Sequence, residues 1–145
     1  MIDQFLSEPE MEALFNHADI YVLPSARLHV VSVLQAMTSG SAVNVSDGWG
    51  MAGYISHGRN GLIVRGRYGR TSWMESNGML WEDYRPLFQA DTVVTQGLID
   101  ALSSLIRDAA IRASLAETAL EEIGTRFSME RWNKDLATAF DRALS

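Results

Sequence analysis

The chain has 145 residues, 47% of them hydrophobic, and sets 12 Lys plus Arg against 18 Asp plus Glu for a net charge of −6; that is the size of one domain with its own core and not the composition of a disordered chain. Zero Cys removes disulfides, thiolate metal sites and thiol nucleophiles, the 3 scattered His make no zinc spacing, and the acidic balance argues against nucleic acid as a partner. No apolar run approaches the ~20 residues of a membrane-spanning helix and residues 1–7 lack a signal-peptide layout, so the chain reads as cytoplasmic, at most peripheral at the inner membrane surface.

Ser7 and Glu10 form a capping box with Pro9 inside the first turn, and the helix they open sets Met11, Leu14, Phe15 and Ala18 on one face. Ile20 to Leu23 is a short β-favouring run stopped by Pro24, the pattern of a parallel strand covered on both sides. Val30 to Met37 is apolar enough for a buried helix, which Gly40 ends. Ala42 to Val45 reads as a second strand, Ser46 to Gly53 as a glycine-rich loop opening a helical turn near Tyr54 and Ile55, and Leu62 to Val64 as a third strand after the turn Gly58-Arg59-Asn60-Gly61. Residues 65–95, with Trp73, Trp81, Tyr84 and Phe88 among scattered glycines, show no stable period and read as an irregular, aromatic-rich insertion. Three helices close the chain: one with the stripe Leu98, Ala101, Leu102, Leu105 and Ile106; one with Ile111, Leu115, Ala119 and Ile123, capped by Gly124; and one opened by Ser128 with Trp132, Leu136, Phe140 and Ala143 on one face.

Strands alternating with helices give an α/β class: a partial Rossmann-like parallel sheet of about three strands flanked by helices, within one domain over residues 1–145. Three strands are few for a doubly wound sheet, and the first element is a fully capped helix with no strand before it. One sheet edge is therefore expected to be open, which invites a homo-oligomer or a partner domain.

Two loops carry candidate chemistry, because ligands of open α/β sheets bind beyond the carboxyl ends of the strands. Gly48-Trp49-Gly50-Met51-Ala52-Gly53 has the dinucleotide spacing after a strand, but too few residues follow for a crossover helix, and Arg65 and Arg67 stand where the ribose-binding acid belongs. It reads better as a tight turn built for close backbone approach than as a nicotinamide site. The turn Pro24 to His29 leads into the buried helix, where Arg27 suits a phosphate or carboxylate and His29 stands at the helix entrance. His17 and His57 read as structural, the aromatic cluster as a clamp on the core, and Glu75, Glu82 and Asp83 as carboxylates with no fixed separation.

Ala18-Asp19-Ile20-Tyr21-Val22-Leu23-Pro24-Ser25, Leu34-Gln35-Ala36-Met37-Thr38-Ser39-Gly40, Gly58-Arg59-Asn60-Gly61-Leu62-Ile63-Val64 and Arg126-Phe127-Ser128-Met129-Glu130 come in an order that resembles the carboxyl-terminal half of the donor-binding domain of GT-B glycosyltransferases, family 4 or group 1. The resemblance implies a segment that binds a nucleotide-diphosphate sugar for transfer to a hydroxyl acceptor, with no metal or other cofactor, and incomplete without an amino-terminal acceptor domain. Its implied donor-binding positions are Arg27, Leu28, His29, Val30, Gln35, Gly48 and Gly50. The sequence departs from the family there. Two Glu separated by seven residues, one near the sugar and one on the ribose, are replaced by Arg27 and Gln35; Leu28-His29-Val30 replaces a glycine-rich stretch; and Ala52-Gly53 replaces Pro-Glu. Gln can still hydrogen-bond ribose hydroxyls, but Arg accepts no hydrogen bond. These replacements support a second reading, a non-catalytic glycosyltransferase-like interaction module.

Overall fold

The computed structural model describes residues 5–27, 29–67 and 91–144. Helix α1 (Glu8–His17) leads into strand β1 (Ile20–Leu23), helix α2 (Val30–Thr38) into β2 (Ala42–Ser46), and a 3-10 turn (Met51–Gly53) precedes β3 (Leu62–Val64). Helices α3 (Thr92–Arg107), α4 (Ala109–Thr125) and α5 (Met129–Leu144) follow. The three strands are parallel in the order β1-β2-β3, with Tyr21 opposite Val43 and Val45 opposite Ile63.

Every residue of β2 is buried, as a central strand covered on both faces must be. Its Val43 and Val45 join Val33, Ala36 and Met37 of α2, Met51, Ile55 and Ala119 in the main core. Ala42 packs with Leu105 and Leu115 in a second cluster that α3 and α4 bring to the sheet. Asn44 is also fully buried in β2, and neither atom of its side-chain amide has a hydrogen-bond partner among the described residues.

Glu10 accepts from both the amide (2.8 Å) and the hydroxyl (2.6 Å) of Ser7, which fixes the start of α1 as the sequence predicts. These bonds, the hydroxyl's first, hold the Glu10 carboxyl below its ordinary pKa. The turn Gly58 to Gly61 is fastened from within and from α4. Asn60 Oδ1 accepts from Ser56 N at 2.7 Å, and its amide donates to Tyr54 O (3.0 Å) and to Glu122 (2.8 Å). Glu122, buried, also pairs with Arg59 at 2.9 Å and Arg126 at 3.3 Å, and Arg126 reaches Gly53 O at 2.7 Å. Tyr54 stacks on Phe127 at 5.3 Å, so the whole turn is pinned to the end of α4. Gly61 is needed there because a Cβ would lie 2.8 Å from Val43 O.

Four expectations are corrected. Strand β1 is an edge among the described residues, not covered on both sides: Val22 is 36% exposed. Only one face of α2 is buried, with Val31 71% exposed. Helix α3 starts at Thr92, inside the stretch expected to be irregular, because Asp91 accepts from the amides of Val93 and Val94, both at 3.1 Å. Gly124 lies inside α4, which runs on to Thr125 and is capped at Arg126. The remaining aromatic-rich residues, including Trp73, Trp81, Tyr84 and Phe88, and the carboxylates Glu75, Glu82 and Asp83 lie outside the described residues.

The stripes read on α1 and α5 exist but are not used as core. Neither helix buries a residue, apart from the half-buried Phe15, which stacks on Tyr21 at 5.9 Å. On α5, Met129, Trp132, Leu136, Phe140 and Leu144 all stay exposed.

Candidate functional site

The two loops singled out from sequence meet at the carboxyl edge of the sheet. Ser46 at the end of β2 donates its hydroxyl to Ser25 O, Trp49 N donates to Ala26 O at 2.9 Å, and Arg27 and Trp49 form a parallel bridge. Gly48 is what permits this approach: a Cβ there would lie 2.6 Å from the carbonyl carbon of Ala26 and 2.8 Å from Arg27 N. Gly50 follows with φ 86°, a left-handed conformation that other residues rarely adopt, and enters the 3-10 turn. The turn has three residues, too short for a dinucleotide crossover helix.

Asp47 joins the third strand to the same edge, a role sequence reasoning missed. Its carboxylate accepts from Gly66 N at 3.1 Å and Arg67 N at 2.7 Å, while its own amide donates to Val64 O at 2.8 Å. An acid immediately after a strand was the available signal. The backbone of Arg67 is thereby held to Asp47, and that of Arg27 to Trp49, at the two ends of the same turn. The acids Asp47 and Asp91 are engaged by backbone amides.

Helix α2 begins at this edge. His29 is its N-cap residue but makes no side-chain cap, and no acid occupies the first turn. Its first amides thus carry the positive end of the helix without a side-chain acceptor at the cap. Val30 is the first helical residue and His29 is exposed. Leu28 lies outside the described residues.

Gln35 stands one turn further along α2, exposed, in a groove of about 790 Å³ between α1 and α2. Leu6, Met11, Phe15, Val31 and Leu34 give the groove apolar walls. Its α2 wall runs from Val31 in the first turn to Thr38 and Ser39 at the helix end. The sequence set Met11 and Phe15 on one face of α1; both line the groove, and Phe15 also packs against the main core.

The two other histidines are structural. His17 Nδ1 lies 2.7 Å from Ala13 O in its own helix, and His57 Nδ1 accepts from Ile63 N at 2.9 Å, holding the turn before β3. Among the described residues no group of three His, Cys, Asp or Glu side chains is placed to hold a metal ion, and no helix is long and apolar enough to cross a membrane.

Comparison with known proteins agrees with this architecture. The D-inositol 3-phosphate glycosyltransferase of Pseudarthrobacter chlorophenolicus is 32% identical over 79 residues, 54% of this chain and 19% of that protein. The C-terminal domain of LpcC, a glycosyl transferase group 1 family protein from Francisella tularensis, superposes with a TM-score of 0.64 at 19% identity, covering 88% of this chain and 53% of that one. HepE from Anabaena, solved in complex with UDP, superposes with a TM-score of 0.61 at 19% identity, covering 89% of this chain and 29% of that one. The two superpositions establish the fold, that of a GT-B C-terminal domain. The chain spans about half or less of the length of each of these relatives. The family described as glycosyl transferases group 1 matches residues 3–83, more than half of the sequence, and the chain belongs to that family.

Proposed function

We propose that the chain is the donor-side segment of a glycosyltransferase, binding a nucleotide-diphosphate sugar whose sugar is transferred to a hydroxyl acceptor held by a further, amino-terminal domain. The observation that carries this reading is that one groove is lined by both Gln35 and Val31, the latter in the first turn of α2. Besides its apolar walls the groove is lined by Glu8, Glu12, Asn16, Gln35, Thr38 and Ser39; Gln35 is suited to bond ribose hydroxyls, and the helix end suits the diphosphate. The UDP bound in HepE supports a nucleoside diphosphate as the ligand class.

On this reading the chemistry supplied here is electrostatic. As the sugar leaves, negative charge grows on the distal phosphate, and the fixed amides of Val30 to Ser32 stabilise it without reorganising. Gly48 and Gly50 keep the neighbouring turn close to Arg27 and leave room beside it. No side chain here is assigned as acid, base or nucleophile, and the chain by itself holds a donor without transferring its sugar.

Calorimetric titration with UDP, GDP and ADP, with NADP as a control, tests the reading. One diphosphate binds saturably, and Gln35→Ala weakens it by about 10-fold, the value of one or two ribose hydrogen bonds. Failure of all three diphosphates to bind overturns it.

A non-catalytic interaction module is favoured by a different observation, the five exposed apolar side chains along α5 together with the β1 edge, which no other strand among the described residues pairs. It predicts self-association of the chain at micromolar concentration without nucleotide binding. A monomer by sedimentation that binds nucleotide contradicts it.

A further inference from the structure

We infer that Arg126 is a positioning residue of the donor site: it sets the glycine turn after β2 for the diphosphate without touching the ligand itself. The inference rests on the donor-binding reading above and goes further, giving a role in that site to a residue 73 positions from the turn it holds.

The turn from Trp49 to Gly53 is held in three places. At its start Trp49 N donates to Ala26 O at 2.9 Å, in the segment that leads into α2. In its middle the Met51 side chain is fully buried in the main core. At its end packing does little, since nothing lies within 4 Å of where a Cβ on Gly53 would be. That end is held by a bond instead: Arg126 Nη2 donates to Gly53 O at 2.7 Å, filling a carbonyl of the kind a helical turn leaves open at its carboxyl end. Between these holds, the amides of Met51 and Gly53 are used within the turn, donating to Gly48 O and Gly50 O at 3.1 Å each. The amides of Gly50 and Ala52, both exposed residues, have no acceptor among the described residues. Open backbone amides in a tight turn suit the oxygens of an anion.

Arg126 suits this task because its guanidinium is itself fixed from α4. Its Nη1 lies 3.3 Å from Glu122 Oε2, and its carbon sits 4.9 Å from the centroid of the Phe127 ring. Phe127 in turn stacks on Tyr54, the residue after Gly53, and the buried Glu122 carboxylate accepts from Asn60 at 2.8 Å. A guanidinium is a rigid planar fork, so holding one nitrogen and one face determines where the other nitrogen points. The hold is passed back along the turn, because Gly53 N is bonded to the carbonyl of Gly50, whose own amide is open. Donors ordered before the ligand arrives bind it more tightly than donors that must be ordered by it.

The test is titration of the full chain, by calorimetry and amide NMR, with UDP, GDP and ADP and with their nucleosides. In the wild-type chain the diphosphate that binds should shift the Gly50 and Ala52 amides while its nucleoside leaves them in place; this is read first and depends on no variant folding. Arg126→Ala should cut the ratio of diphosphate to nucleoside affinity by about 10-fold, the value of one or two amide bonds to an anion, with the nucleoside affinity unchanged. Arg126→Lys should restore part of that ratio. Arg59→Ala, which removes the other cation on Glu122 and leaves Gly53 O bonded, should keep the wild-type ratio. Unshifted Gly50 and Ala52 amides at saturation overturn the inference and leave the donor-binding reading standing. So does an unchanged ratio in Arg126→Ala, and so does an equal loss for diphosphate and nucleoside, which would make Arg126 a support of the fold only. Failure of every nucleotide to bind overturns both.

Discussion

Gly48→Ala isolates the contact on which the site depends. The backbone of Gly48 does not need a positive φ, so the penalty is one of space. An added Cβ would sit 2.6 Å from the carbonyl carbon of Ala26 and 2.8 Å from Arg27 N, short of the 3.4 Å of ordinary contact by 0.8 and 0.6 Å. Both are backbone atoms, which cannot rotate away as a side chain can, so the turn after β1 must retreat from the turn after β2. Overpacking of this kind costs about 1–3 kcal/mol. For a domain of this size that lowers the melting temperature by roughly 3–9 °C. The retreat also carries Arg27 and the start of α2 away from Trp49, so nucleotide affinity should fall with stability. Gly53→Ala is the control: nothing lies within 4 Å of its added Cβ, and it should be neutral or stabilising by up to about 1 kcal/mol. The assay is thermal and urea unfolding of both variants by circular dichroism. A Gly48→Ala chain that melts within a degree of wild type would refute the close-approach account.

Other substitutions probe the rest of the fold. Asn44→Leu should stabilise by about 1–2 kcal/mol in urea unfolding, because it replaces a fully buried amide that has no partner among the described residues with an apolar side chain of similar size; destabilisation would contradict this. Glu122→Ala removes the acceptor shared by Asn60, Arg59 and Arg126, and since Arg59 is largely solvated and Arg126 keeps its bond to Gly53 O the loss should be about 1–3 kcal/mol, measured the same way, with the Gly58 to Gly61 turn loosened in amide exchange. Glu10, whose carboxyl is held below its ordinary pKa by Ser7, supports α1 at pH values above the ordinary carboxylate range and loses that support as pH falls through its lowered folded value; helix fraying followed by NMR should therefore grow as the Glu10 carboxyl protonates, and Ser7→Ala should move the Glu10 titration upward.

The parts of the fold set by local chemistry were legible. Pro24 closes β1, Ser7 with Glu10 opens α1, and the steric need for glycine at 48 and 61 marks where backbones meet. The Asp91 cap was hidden because it follows a long aromatic stretch without periodicity, so the helix start carried no contrast with what preceded it. Coverage was not legible at all. The one-sided stripes of α1 and α5 look like core faces in sequence, yet neither helix buries a residue, since periodicity reports a face and not the surface that buries it. Long-range polar contacts were equally silent: Asn60 and Glu122 are 62 residues apart, and neither announces the other. In the candidate site, the sequence placed Arg27, His29, Gly48 and Gly50 at one edge, where the structure has them, but gave no sign that Gln35 lies in a groove walled by α1.

The central claim is that a nucleoside diphosphate lies along α2, from the Gln35 groove to the carboxyl edge of the sheet. Backbone amide NMR of the labelled chain, titrated with the diphosphate that binds, tests this most directly. The account predicts shifts concentrated at Val30 to Gln35 and at Trp49 to Met51, with the Asn60 and Glu122 region unmoved. Shifts confined to α4 or α5, or none at saturating nucleotide, would contradict it.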